Sequence, residues 1–194
     1  MKSLGLTGGV GMGKSTSAQV LRSRRVAVVD TDELAREVVQ PGQPALAQIQ
    51  QAFGRGMIGP DGLLRRAELA RIVFADEVAR KRLEEMLHPL IRERWRAQLA
   101  DWRQRDVPLA FVVIPLLFEI NEEAEFDETI CVACSAATQW QRLRLRGWRP
   151  EHIQQRLAAQ WPVEEKIARA NYLVWTEGSL GAHAWQLERI IERV

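Results

Sequence analysis

The sequence has almost no excess charge, only two cysteines and no long apolar run, and each shortage excludes a class of function. A formal net charge of +2 over 194 residues gives no global pull toward nucleic acid or an anionic membrane surface. No apolar stretch approaches the length of a membrane span. The chain enters an apolar strand almost at once, which leaves no room for a signal peptide, so a cytoplasmic protein is expected. Cys131 and Cys134 form a C-x-x-C, a spacing compatible with a redox pair near a strand end. Cys131, however, lies in the largely apolar run Thr129 to Ala133, where cysteine usually behaves as a small buried hydrophobe. His152 and His183 stand at no spacing that would complete a zinc site. Internal repeats and low-complexity segments are missing too.

What is present concentrates near the start. Gly8 to Ser15 reads G-x-x-x-x-G-K-S, the phosphate-loop pattern, behind the apolar run Leu4-Gly5-Leu6 and ahead of a helical stretch opening at Thr16. Gly8, Gly9, Gly11 and Gly13 let successive backbone N–H groups turn inward on one anion, and the helix behind adds unpaired donors and its positive dipole end. Lys14 can then reach terminal phosphates, and the Ser15 hydroxyl can ligate magnesium.

Further along, Arg25 to Asp30 reads as a short strand closed by Asp30-Thr31-Asp32-Glu33. Carboxylates at a strand's carboxyl end would face the phosphate loop, where one could take a proton from a hydroxyl or help hold the metal. Helix capping by Asp30 and Glu33 is the alternative. The loop upstream favours function for Asp32. Residues 64–105 read as helix carrying many solvated arginines, interrupted at His88-Pro89. Leu109 to Ile114 and Thr129 to Ala133 read as strands, with Pro115-Leu116-Leu117-Phe118-Glu119 closing the first. Arg142 and Arg146 are spaced i, i+4, on one helix face. Interleaved with Trp140 and Trp148 they could stack on single-stranded nucleic acid; behind a phosphate loop they fit a lid that neutralises a transferring phosphoryl group. The near-zero net charge favours the lid. Tyr172 to Trp175 is a last strand, followed by a terminal helix from Leu180 to Arg193. The expected fold is α/β: a phosphate-loop kinase with a parallel sheet flanked by helices, an inserted helical lobe and a helical lid. No D-x-x-G or N-K-x-D of a guanine-nucleotide switch is present.

With these motifs placed, the chain resembles the dephospho-CoA kinase family over essentially its whole length. The matching segments are Leu6 to Thr16, Asp30-Thr31-Asp32 with Ala35-Arg36, Val39-Gln40-Pro41-Gly42, His88-Pro89-Leu90-Ile91, Pro115 to Glu119, and Gln141-Arg142 with Arg146. The resemblance implies ATP-dependent phosphorylation of the ribose 3′-hydroxyl of dephospho-CoA, with magnesium and with neither nucleic acid nor membrane as partner. It implies a nucleotide-binding core over residues 1–54, 106–137 and 170–194, a CoA-binding lobe over 55–105 and a lid over 138–160. Carried over by residue, Asp32 is the base, and Lys14, Arg142 and Arg146 act on the phosphates. Gly8, Gly9, Gly11, Met12, Gly13, Lys14, Ser15 and Thr16 hold ATP. Thr7, Asp32, His88, Pro115, Leu116, Leu117 and Glu119 face the acceptor. Ser15 reaches the metal, with Asp32 as a second candidate. Another small-molecule kinase, for a nucleoside or nucleoside monophosphate, or a non-catalytic ATP-binding protein are the competing readings. Three positions depart from the family pattern. Met12 replaces a usual Ser where mainly backbone counts, Thr31 replaces a usual Ala, and Trp175-Thr176-Glu177-Gly178 stands where an Asp-Asn-x-Gly-like turn is common.

Overall fold

All residues from Met1 to Val194 are described by the computed structural model. The first elements are β1 (Lys2–Thr7), α1 (Lys14–Ser23), β2 (Ala27–Asp30), α2 (Thr31–Glu37), α3 (Pro44–Phe53), α4 (Arg66–Ala75) and α5 (Glu77–Gln104). Then come β3 (Leu109–Val113), β4 (Glu128–Ala133), α6 (Ala136–Leu145), α7 (Pro150–Ala158), α8 (Val163–Arg169), β5 (Tyr172–Trp175) and α9 (Leu180–Ile191). They divide into two compact units, one of residues 1–30 and 99–194 and one of residues 31–98.

The first unit is built on a five-stranded sheet in the order β2-β3-β1-β4-β5, with every pairing parallel. Parallel strands are covered on both faces, which is why they read as nearly continuous apolar runs. Side chains alternate between those faces. Leu4, Leu6, Ile130 and Val132 pack with Ala18 and Leu21 of α1 and with Leu187 and Ile190 of α9. Cys131 and Ala133 belong to a second cluster with Met12 and Cys134, against Val163 and Ile167 of α8. Both cysteine thiols are free and buried, and burial pushes Cys131 up to about 11. This is the chemistry of packing, not of a redox pair. Asp127, just ahead of β4, accepts hydrogen bonds from the backbone N–H and hydroxyl of Ser3 at 2.7 and 2.9 Å, which pins the start of β1. Connections run from β1 to β2 on one side and later reach β4 on the other. The carboxyl end of β1 is therefore the switch point where such sheets form their crevice.

The second unit is helical. Val38, Val39, Ala45, Ile49, Leu69 and Val73 form its core, with Leu83, Leu87, Leu90 and Ile91 of α5 packed against it. The unit opens at Thr31, well before residue 55, because Val38, Val39, Ala45 and Ile49 bury their side chains with α4 and α5. The expected break at His88-Pro89 does not occur: α5 continues through Pro89. Proline removes one intrahelical hydrogen bond, but Leu83 and Leu87 before it and Leu90 and Ile91 after it share one packed cluster, which holds the helix together. The break falls at Asp76 instead, whose carboxylate accepts the N–H of Val78 at 2.8 Å and caps the start of α5. No helix is long and apolar enough to cross a membrane.

Candidate active site

The loop between β1 and α1 takes its shape from conformations that only glycine adopts without strain. Gly8 has φ 146°, and a Cβ there would come within 2.1 Å of the Val132 carbonyl oxygen. Gly13, at φ 105°, caps α1 in the left-handed region, so Lys14 begins the helix directly. The loop is then fastened by side chains from far along the chain. The Val10 N–H donates to Gln160 Oε1 at 3.0 Å, and the Val10 carbonyl accepts from Gln139 Nε2 at 2.7 Å. The buried Thr7 hydroxyl donates to the Pro115 carbonyl at 3.1 Å. Lys14 folds over the loop, its ammonium donating to the carbonyls of Gly8 and Gly9 at 2.7 and 3.0 Å.

A cleft of about 240 Å³ opens beside this loop. Gly11, Gly13 and Thr16 form one wall; Arg142 and Arg146 with Thr176, Gly178, Ser179, Leu180 and His183 form the rest. Arg142, near the end of α6, donates from Nη1 to the Thr176 hydroxyl at 2.8 Å and from Nη2 to the Thr176 carbonyl at 2.5 Å. The Thr176 hydroxyl in turn donates to the Met12 carbonyl at 2.9 Å. An arginine, a strand end and the phosphate loop are thus joined through one threonine. Below the cleft, Ser17 and His183 share a buried hydrogen bond of 2.8 Å. Burial, and then the charge of Arg142, lowers the pKa of His183, so its neutral form is favoured. Glu177 accepts the Ser135 N–H at 2.9 Å, and hydrogen bonds from Ser135 and Thr138 bring its carboxyl down to about 2. Ser135 also caps α6, its hydroxyl accepting the Thr138 N–H at 3.2 Å.

A glycine-rich loop at mid-sheet, facing a cleft that holds two guanidiniums, is a site for a polyphosphate. A larger groove of about 580 Å³ lies within the helical unit between α3 and α5, lined by Gln48, Arg82, Glu85 and Leu90 among others. It holds no phosphate-loop residue, whereas the smaller cleft holds Gly11, Gly13 and Thr16.

Residues 2–181 match the family model described as dephospho-CoA kinase. The chain belongs to the dephospho-CoA kinase family. A dephospho-CoA kinase of Anaeromyxobacter dehalogenans is 44% identical over 98% of this chain and 91% of its own length. A crystal structure from Thermus thermophilus, 34% identical, superposes with a TM-score of 0.82 and covers 100% of this chain and 97% of that one. A dephospho-CoA kinase from Campylobacter jejuni shares the fold, with a TM-score of 0.73 at 23% identity over 100% of this chain and 97% of that one.

Against the family's expected residues, the first unit brings Gly11, Gly13, Thr16, Arg142 and Arg146 to one cleft. Arg146 is less regular than its i, i+4 spacing suggests, because α6 ends at Leu145 and Arg146 is its C-cap. Met12 contributes more than backbone. Its side chain is 2% exposed and packs in the cluster with Cys131 and Ala133. Leu117 is fully buried, and a Cβ on Gly5 would come within 2.9 Å of it. Leu116 is half-buried. Glu119 is engaged with Lys166 Nζ at 2.6 Å and the Trp161 N–H at 3.0 Å. In the helical unit, Asp32 is exposed in the first turn of α2 and His88 is half-buried in α5. Gln139, Gln160, Lys166 and His183 are not legible from the sequence as partners of the loop, and Thr176 only as part of the turn Trp175 to Gly178, which the family resemblance marks. Their partners here lie far away in sequence, so no local pattern announces them.

Proposed function

We propose that the protein transfers the terminal phosphoryl group of ATP to the ribose 3′-hydroxyl of dephospho-CoA, giving coenzyme A and ADP in the cytoplasm. The match of residues 2–181 to the dephospho-CoA kinase family carries this reading. The cleft supports it chemically. Gly8, Gly9, Gly11, Met12, Gly13 and Thr16 offer the backbone of the phosphate cradle, and the ammonium of Lys14 already sits over the loop. Arg142 and Arg146 line the same cleft and neutralise charge on the transferring group. Ser15 is exposed in the first turn of α1 and presents a hard oxygen donor suited to magnesium. Magnesium is held in such sites by one or two protein oxygens plus phosphates, so the lack of any cluster of three acidic, histidine or cysteine side chains fits it. A bound magnesium would neutralise charge that develops on the phosphate oxygens as the P–O bond to the terminal phosphoryl group breaks. Asp32 accepts the proton of the 3′-hydroxyl, and Thr7, His88, Pro115, Leu116 and Glu119 shape the acceptor side. Phosphoryl transfer asks the protein mainly for alignment and charge neutralisation, and this residue set supplies both.

The test is direct. Purified protein with ATP, magnesium and dephospho-CoA should form coenzyme A, identified by mass with the new phosphate on the 3′ position. ATP consumed only with a nucleoside or nucleoside monophosphate would replace the acceptor; phosphate transfer to neither would overturn the enzyme.

A further inference from the structure

Lys166 carries its charge where no solvent reaches, with a side chain 0% exposed. Its ammonium donates to Glu119 Oε1 at 2.6 Å and to the Pro115 carbonyl at 2.9 Å. Buried ion pairs are weak contributors to stability, because desolvation offsets much of the attraction. This one has another use, since both acceptors lead to the phosphate loop. The Pro115 carbonyl also receives the hydroxyl of Thr7, the residue ahead of Gly8, at 3.1 Å. Glu119 Oε1 also receives the Trp161 N–H at 3.0 Å, and the adjacent Gln160 accepts the Val10 N–H at 3.0 Å. One contact at the entrance of the loop and one at its tip thus lead back to this ammonium, beside the independent ties from Gln139 and Thr176. Glu119 Oε2 is buried without a hydrogen-bond partner, so this carboxylate is held through Oε1, by Lys166 and the Trp161 N–H. Lys166 and Lys14 both lie near the Cys131 thiol and oppose the rise that burial imposes on it.

We propose that Lys166 is a positioning residue for the phosphate loop, holding it in its nucleotide-binding shape through Pro115 and Glu119 without touching the nucleotide. This rests on the reading of the loop as an ATP site. Lys166→Met keeps an unbranched side chain of similar length but leaves Glu119 as an uncompensated buried carboxylate, which by itself can prevent folding. The double variant Lys166→Met/Glu119→Gln removes that charge and keeps an acceptor for Trp161, so it carries the test. Its ADP affinity, read by titration calorimetry, is compared with its melting temperature. The expected result is a melting temperature close to the parent's with ADP bound roughly tenfold more weakly. Parent-like affinity in the double variant would overturn the proposal, because Lys166 would then only compensate Glu119. A double variant that does not fold overturns it too, since the pair is then needed for folding itself. ADP binding does not depend on the acceptor, so a wrong acceptor leaves this test standing.

Discussion

Arg142 and Thr176 are joined twice, guanidinium to hydroxyl at 2.8 Å and guanidinium to carbonyl at 2.5 Å. The planar fork of arginine matches these two oxygens; the single ammonium of lysine does not. Arg142→Ala should lower turnover by about 100-fold, the scale of losing one preorganised donor at a developing charge. Arg142→Lys should recover little of it. Steady-state kinetics decide between this and simple binding: a rise in the KM for ATP at unchanged kcat would remove Arg142 from the transition state.

Asp32→Asn should retain the fold and ATP affinity but lose turnover by about 10²–10⁴-fold, the range for a general base. Asp32 is exposed in the first turn of α2, so the substitution disturbs no packing. Rapid-quench measurement of the transfer step isolates the effect. A variant that transfers phosphate at the parent rate is incompatible with Asp32 as base.

Met12→Ala should destabilise the protein by about 2–5 kcal/mol, the cost of removing a large side chain from a packed site. Met12→Leu, which conserves volume, should cost under about 1.5 kcal/mol. Urea unfolding measures both. If Met12 served only through its backbone, the alanine variant would be as stable as the parent.

Glu177 should add to the acid sensitivity of the fold. Hydrogen bonds from Ser135 and Thr138 lower its pKa from 4.5 to about 2. A carboxylate with a depressed folded pKa stabilises the protein fully above its unfolded pKa, and loses that contribution as the pH falls through 4.5 toward 2. Melting temperatures between about pH 5 and pH 3 should therefore fall less steeply for Glu177→Gln than for the parent. Parallel slopes would show that the carboxylate adds nothing as an acceptor.

Much of this molecule is legible locally. Gly8 to Ser15 specifies a phosphate loop because the left-handed turns at Gly8 and Gly13 need glycine whatever surrounds them. Strands β3 and β4 announce themselves as apolar runs because a parallel sheet buries both faces, whereas the edge strand β5 buries only Val174 fully and leaves Leu173 and Trp175 exposed. Pro89 argues for a break that α5 does not show, since proline's effect on a helix is local while the packing that outweighs it is not. The helical unit's start at Thr31 escaped for the same reason: Val38 and Ile49 belong to it through their contacts with α4 and α5.

The sequence by itself determined the loop, the parallel strands and the family, all of which rest on residue types at short spacing. The tertiary structure alone decided which distant side chains hold that loop. Gln139 and Gln160 reach Val10, Thr176 reaches Met12, and His183 reaches Ser17, across chain separations of 129 to 166 residues. Such partners meet only because β1 lies between β3 and β4, with α1 and α9 packed in one cluster and α8 in another. A hydrogen bond needs two groups within about 3 Å, and only the assembled sheet sets that distance between residues the chain keeps far apart.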